Sequence, residues 1–431
     1  MKSSKSSKNE SQSYANGTAA AFEPQKEENT NSQPKEMVIP KEIQDNIKIF
    51  TEYFDIGYAV SITKKVLHAI NTYYFRVEFI GFDDFPERNN PDRPLIFASN
   101  HSGMAFPWDA ICFASALLER NNFDMSKAVR PITAPALSMA HFMSPFLISN
   151  FWRRLGGIDA TRLNFETMMF YKDANVLIYP EGVPGIGKGF DNRYLLQRLS
   201  TSSLRMSIKY KTDIIPFATI NGEFINPLSY SIKFLNELVQ KIGIPFFPLG
   251  PMTLLIPLQP WLFYFALPAK LKFVRGNRIK PYEMINKPYE EITDDELFVL
   301  RDQIHEQMQK ELNAAVEYYG QDPYEFPELI QMVVQNLPKL FSFLPFMWPL
   351  LFRAHEKEYL RLKKSLFGEN ADKLTDAQKI AIINNFHNNE PEQEITFGTV
   401  VETLVKNPSI LLLYTPIAGL LSLFLSKPDE A

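Results

Sequence analysis

Short apolar runs of four to eight residues, separated by stretches with helical spacing, recur between residues 75 and 274 and constrain the fold more than any other feature. The runs are Phe75 to Phe82, Leu95 to Ser99, Val176 to Tyr179, Ile214 to Ile220, Leu254 to Leu258 and Leu271 to Val274. Runs of this length, rich in β-branched and aromatic residues, read as buried strands. Between them, Ala110 to Glu119, Thr161 to Tyr171 and Leu195 to Tyr210 carry apolar residues at helical spacing. Strands alternating with helices predict an α/β domain: a mixed sheet flanked by helices. With 45% hydrophobic residues in 431, the chain has enough apolar surface for a sizeable core.

Flanking segments set the expected boundaries. Residues 1–42 are dominated by Ser, Asn, Glu and Lys and hold few large apolar side chains. They are expected to form a disordered tail without a signal peptide, which places the protein in the cytoplasm. Ile47, Phe50, Phe54, Tyr58 and Ile62 predict one helix from Ile43 to about Tyr74, leading into a folded domain over residues 43–320. Charged Asp294 to Tyr319 reads as a long helix, ended by Gly320 and Pro323. Residues 321–431 then read as a C-terminal helical region with two apolar stretches, Leu340 to Phe352 and Asn407 to Ser426. The first is too short to span a bilayer, and Pro408, Pro416 and Gly419 interrupt the second, so membrane-contacting or half-inserted helices are expected there. Ile242 to Ala269 holds no charged residue but six prolines, which argues against a spanning helix. Two uses suit such a bent segment, lining an apolar groove or filling the core.

Charge and composition exclude several functions. A net charge of -4 does not suit a broad phosphate-binding face, so no nucleic-acid partner is expected. A single cysteine, Cys112, and six histidines without helical metal spacing imply no metal.

Chemistry concentrates in two segments. In the first, Leu95 to Asp109 (LIFASNHSGMAFPWD), a strand runs out at Asn100, Gly103 allows a tight path, and Pro107 suits a helix start. Asp109 then falls in the first helical turn and His101 on the loop before it. An imidazole can take a proton from an alcohol near neutral pH, and a carboxylate on its other nitrogen fixes the tautomer. The pair is the His-Asp half of a triad, with a substrate hydroxyl in place of the serine. The second segment, Val176 to Phe190 (VLIYPEGVPGIGKGF), delivers Glu181 and Gly182 to a strand exit, where Glu181 is expected to hold an acceptor hydroxyl. Gly182 to Gly189 approaches a nucleotide-binding loop, but Gly189 stands where a magnesium-binding Ser or Thr is required. No G-x-S-x-G elbow is present for a serine hydrolase.

Asn100-His101-Ser102-Gly103 with Asp109, followed by Tyr179-Pro180-Glu181-Gly182, resembles the glycerolipid acyltransferase family, the lysophosphatidate acyltransferase type. The resemblance covers roughly Asp83 to Arg278, with Asn150 to Ile158 in the place of the acceptor-binding block and Ile214 to Ala218 in that of the fourth block. It implies an α/β sheet with flanking helices, acyl-CoA or acyl-carrier-protein as co-substrate, no further cofactor, and a lipid acceptor met at a membrane surface. His101 becomes the general base and Asp109 its partner. Arg153 and Arg154, in the second block, become candidates for donor or acceptor binding. Seven residues separate His101 from Asp109, against four in the usual family block; the longer form is similar to a bacterial branch grouped with the monoacylglycerol and diacylglycerol acyltransferases. Val183 and Pro184 occupy the place where the family has a phosphate-holding Arg, with Lys188 and Arg193 as possible substitutes. Acceptors therefore include lysophospholipids, partial glycerides and long-chain alcohols. A lipid-binding protein on the same fold, without catalysis, is the rival expectation.

Overall fold

The computed structural model describes residues 39–104, 106–139, 144–241, 246–285, 287–368, 397–406 and 408–417, so the expected tail lies almost wholly outside the described residues. Its centre is a seven-stranded mixed sheet formed by β1 (Glu78–Ile80), β2 (Ile96–Ser99), β3 (Val129–Thr133), β4 (Ile158–Asp159), β5 (Asn175–Ile178), β6 (Ile214–Ile220) and β9 (Lys272–Arg275). The spatial order is β1-β9-β6-β2-β5-β3-β4. Pairing is parallel throughout except between β6 and β9. A separate two-stranded ribbon joins β7 (Tyr230–Ser231) to β8 (Pro248–Leu249).

The central strands are continuous apolar runs because both sheet faces are covered. Their alternation sorts side chains into two cores. Phe97, Leu177, Ile215 and Phe217 point into one, while Ile96, Ala98, Val176, Ile178, Ala218 and Ile220 point into the other. Over the second face lies α1 (Asp294–Tyr319), whose Leu297, Leu300, Ile304, Met308 and Leu312 form one buried stripe. Its start is a capping box: Thr293 Oγ1 accepts from the Glu296 N–H, and the Glu296 carboxylate accepts from the Thr293 N–H. The other face is built from aromatic rings, with Phe113 stacked on Phe217 at 4.0 Å between centroids.

The described residues beyond 320 join the core of the main domain. Helix α2 (Trp348–Phe367) places Trp348 edge-on to Trp108 at 4.7 Å, and Phe352 stacks on Phe146 at 4.0 Å. Leu340 to Phe352 is thus largely an inner wall of the main domain, with Phe343, Trp348, Leu351 and Phe352 buried. Much of the second apolar stretch lies outside the described residues; its described part turns tightly over Pro408–Tyr414. Among the described residues no helix is long and apolar enough to cross a membrane.

Several expectations need correcting. The leading helix is broken: a helical stretch over Lys41–Asn46 and Ile47–Phe50 stops, and Asp55 caps a new one starting at Ile56, accepting from the Tyr58 N–H at 3.1 Å. Leu254 to Leu258 is no strand, because Pro251 opens a short helix over Pro251–Leu255. Leu195 to Ser200 is not helical; the helix there is Ser202–Tyr210, and Gln197 turns its N–H to the Glu181 carboxylate. The strands Val129–Thr133 and Ile158–Asp159 were not foreseen. Pro131 interrupts the first as a strand pattern, and the second is only two residues long.

Two measurements probe this architecture. Trp348→Ala empties a fully buried position and is expected to cost about 3–5 kcal/mol in urea unfolding, whereas a loss near zero would show that residues beyond 320 pack independently. His355 is also buried, its Nε2 2.9 Å from Ser61 Oγ, and burial, with Lys65 and Arg154 adding to it, pushes its pKa down to about 3. An unfolded imidazole titrates near 6.5, so acid protonates the unfolded chain first. Stability from this group is complete above about pH 6.5 and falls by roughly 1.4 kcal/mol per unit as the pH drops toward 3. His355→Gln is expected to flatten that decline in urea midpoints taken from pH 7 to pH 5.

Candidate active site

Four elements meet at the carboxyl end of β2. The chain leaves β2 through Asn100, whose side chain imitates a strand residue: Oδ1 accepts from the Thr219 N–H at 2.8 Å and Nδ2 donates to the Thr219 oxygen at 3.0 Å. This pins the loop to the end of β6. Gly103, at φ +105°, then turns the chain toward α3 (Trp108–Arg120).

The turn brings His101 and Asp109 together despite the seven residues between them. Imidazole Nδ1 lies 2.7 Å from Asp109 Oδ2. The same oxygen accepts the Ser102 N–H at 3.0 Å, and Oδ1 accepts the N–H of Ala110 at 2.8 Å. With both oxygens anchored, the buried carboxylate accepts a hydrogen bond from Nδ1–H, which leaves Nε2 as the ring's lone-pair nitrogen. The ring also stacks on Tyr179 at 4.2 Å between centroids. Burial, and then the Asp109 charge, push the Tyr179 phenol well above its usual range, so it stays neutral.

His101 forms part of the wall of a cavity of about 460 Å³. Ala110, Ile111, Ala114 and Leu118 contribute one face of α3, and Val129 to Thr133 and the exit of β5 through Gly182 complete much of the lining. The lining is mainly apolar, and the volume falls in the range of roughly 300–1,000 Å³ typical of small-molecule sites. Gly182 adopts φ +61° and ψ −148°, a conformation open mainly to glycine.

Glu181 has a different place from the one expected. Its Oε1 accepts the His101 N–H at 2.9 Å and its Oε2 the Gln197 N–H at 2.6 Å, so a buried carboxylate braces the backbone that carries the imidazole. Lys188 likewise is no solvated phosphate ligand. Its Nζ is buried 3.9 Å from Glu181 and 3.5 Å from Glu223, whose carboxyl is raised above its ordinary pKa, mainly by burial. Arg153 pairs with Asp159 at 2.6 Å, and Arg154 with Glu356 at 2.7 Å while lying 3.7 Å over the Tyr58 ring. Arg193 stacks over Phe190 at 5.0 Å. None of these cations lines the cavity with His101. The basic residue that does, Arg130, hydrogen-bonds the carbonyls of Gly156 and Phe50, and burial lowers its pKa to about 10. Sequence reasoning also missed the close approach of Gly222, where an added Cβ would sit 1.9 Å from Ser102 Oγ, a buried hydroxyl without a hydrogen-bond partner among the described residues.

No family model matches the sequence, and no solved structure matches it. Among curated proteins it is 28% identical over 262 residues to uncharacterized proteins of Mycobacterium tuberculosis and Mycobacterium bovis, a match covering 60% of this chain and 67% of theirs. An uncharacterized protein of Mycobacterium leprae is 26% identical over the same length, 65% of its own chain.

Glu181→Gln tests the bracing role. An amide has one acceptor oxygen for two N–H donors, so the variant is expected to lose about 1–3 kcal/mol in chemical denaturation. Unchanged stability would instead mark Glu181 as a group held ready for substrate.

Proposed function

We propose that this protein is an O-acyltransferase that moves a fatty acyl group from acyl-CoA or acyl-carrier-protein to a hydroxyl of a lipid. The observation that carries the proposal is an imidazole with Nδ1 fixed by a buried carboxylate, in the wall of an apolar cavity. In this reading Nε2 takes the proton of the acceptor hydroxyl as its oxygen attacks the thioester carbonyl. The tetrahedral oxyanion collapses, the C–S bond breaks, and the departing thiolate recovers the proton from Nε2–H. Asp109 stabilises the transient imidazolium, and the face of the Tyr179 ring adds to it. No covalent enzyme intermediate is required.

The cavity lining favours an apolar acyl chain over a charged substrate group. With Val183 and Pro184 after Glu181-Gly182, and Lys188 locked between two carboxylates, the vicinity of His101 offers no cation free to hold a phosphate among the described residues. A neutral acceptor, a partial glyceride or a long-chain alcohol, fits better than a lysophospholipid. The rival reading, lipid binding without catalysis, is disfavoured by the 2.7 Å His-Asp contact, which a binding protein does not require.

Purified protein given labelled palmitoyl-CoA and a panel of glycerides, alcohols and lysophospholipids is expected to esterify the neutral acceptors. His101→Ala should lower turnover by on the order of 10²–10⁴-fold while the fold, read by circular dichroism, stays intact, and Asp109→Asn should also cause a large loss. Full turnover by His101→Ala would sink the assignment, and thioester cleavage without acceptor transfer would make the protein a hydrolase.

A further inference from the structure

Helix α4 (Phe326–Gln335) is apolar on both sides. Leu329, Met332 and Val333 pack on the core, while Ile330 and Val334 on the opposite side are 62% and 64% exposed. Gln331 and Gln335 are exposed beside them, so the outer side carries a narrow apolar stripe open to solvent. The helix has one charged residue, Glu328, and that side chain turns inward to Lys270 at 2.9 Å.

The same feature recurs on elements linked to α4 through direct packing. Helix α4 contacts the turns of Leu337–Phe343, which lead through Pro345–Met347 to Pro260–Tyr264 and the helix Pro251–Leu255. Here Leu254 and Leu258 are exposed, and the main-chain bond from Ile417 N–H to Pro257 O at 2.7 Å ties in the C-terminal turns. Phe247, just before β8, ties this region to Lys233–Gln240 by donating its N–H to Asn236 Oδ1 at 2.8 Å. On that last helix Phe234 is 71% exposed and Leu238 is half-exposed. Five charged residues stand in the two segments 226–268 and 326–352, none of them arginine.

We infer that this belt docks the protein on a lipid bilayer, with Phe234, Leu238, Leu254, Leu258, Ile330 and Val334 entering the acyl-chain boundary. Scattered single apolar residues need no explanation, but exposed apolar residues repeated on elements that pack one on the next do. A protein partner is less well suited. Protein interfaces are enriched in arginine and carry about one hydrogen bond per 100–200 Å², whereas this belt lacks arginine and presents aliphatic and aromatic side chains from several short segments. Lys233 and Lys241 stand exposed at the two ends of that last helix, as suits headgroup depth. Proximity to the cavity points the same way: Phe246, two residues before β8, lines the space beside His101. A lipid leaving the bilayer at the belt would meet that wall, so the inference deepens the acyl-transfer reading while its test is independent of turnover.

Full-length protein is mixed with phosphatidylcholine vesicles, with and without phosphatidylserine, and sedimented. Wild type is expected to pellet with both, and His101→Ala equally, which separates docking from catalysis. Phe234→Glu/Leu238→Glu and Leu254→Glu/Leu258→Glu, with unaltered thermal melts, are expected to bind on the order of a hundredfold more weakly. Wild type that stays in the supernatant, or variants that pellet as well as wild type, would overturn the inference. So would binding that needs phosphatidylserine and disappears in salt, or a dimer that the same variants dissociate without any vesicle binding.

Discussion

One buried carboxylate organises the site. Asp109 stands in the first turn of α3 and gathers the Ser102 and Ala110 N–H groups together with Nδ1 of His101. Those contacts join a strand exit, a glycine turn and a helix start into one unit. A charged group sealed from water is tolerated only when its oxygens are fully engaged, so the loop geometry and the charge sustain each other. A second buried carboxylate, Glu181, holds the His101 main chain from the other side. The imidazole is thereby held by its ring on one carboxylate and by its backbone on another.

Beneath this site the sheet supplies rigidity. Its central strands place alternate side chains in two separate cores, one covered by α1 and one by rings that include Trp348 and Phe352 from beyond residue 320. The aromatic core also ties the described residues beyond 320 to the start of α3: Trp108, next to Asp109, lies edge-on to Trp348, and its indole N–H donates to Tyr264 O at 3.0 Å. Packing at a distance from His101 thus bears on the helix that carries Asp109.

The apolar surface divides into three populations with different roles: the sheet cores, the cavity beside His101, and the outward belt on the segments around 234, 254 and 330. Composition alone does not distinguish them. Ile242 to Ala269 illustrates the point, since its described residues include a cavity-lining Phe246, a buried Tyr264 and an exposed Leu254. The choice posed by the sequence, groove or core, resolves into both, together with an exposed share that neither option included.

Local pattern determined a good deal by itself. The strand Ile214–Ile220 and the helix Asp294–Tyr319 lie where their residues place them, because an uninterrupted apolar run and a capped amphipathic repeat each specify one conformation. The His101 and Asp109 pairing was legible too, since Gly103 and Pro107 dictate a turn followed by a helix start. Tertiary structure decided the rest. Glu181 and Lys188 look like exposed site residues in a glycine-rich loop, yet the fold buries them against each other and against Glu223; Arg153 and Arg154 find their acidic partners at Asp159 and Glu356, the latter 202 residues away in sequence. A charged side chain's role depends on which opposite charge the fold brings to it, and that distance is not written in its neighbours along the chain.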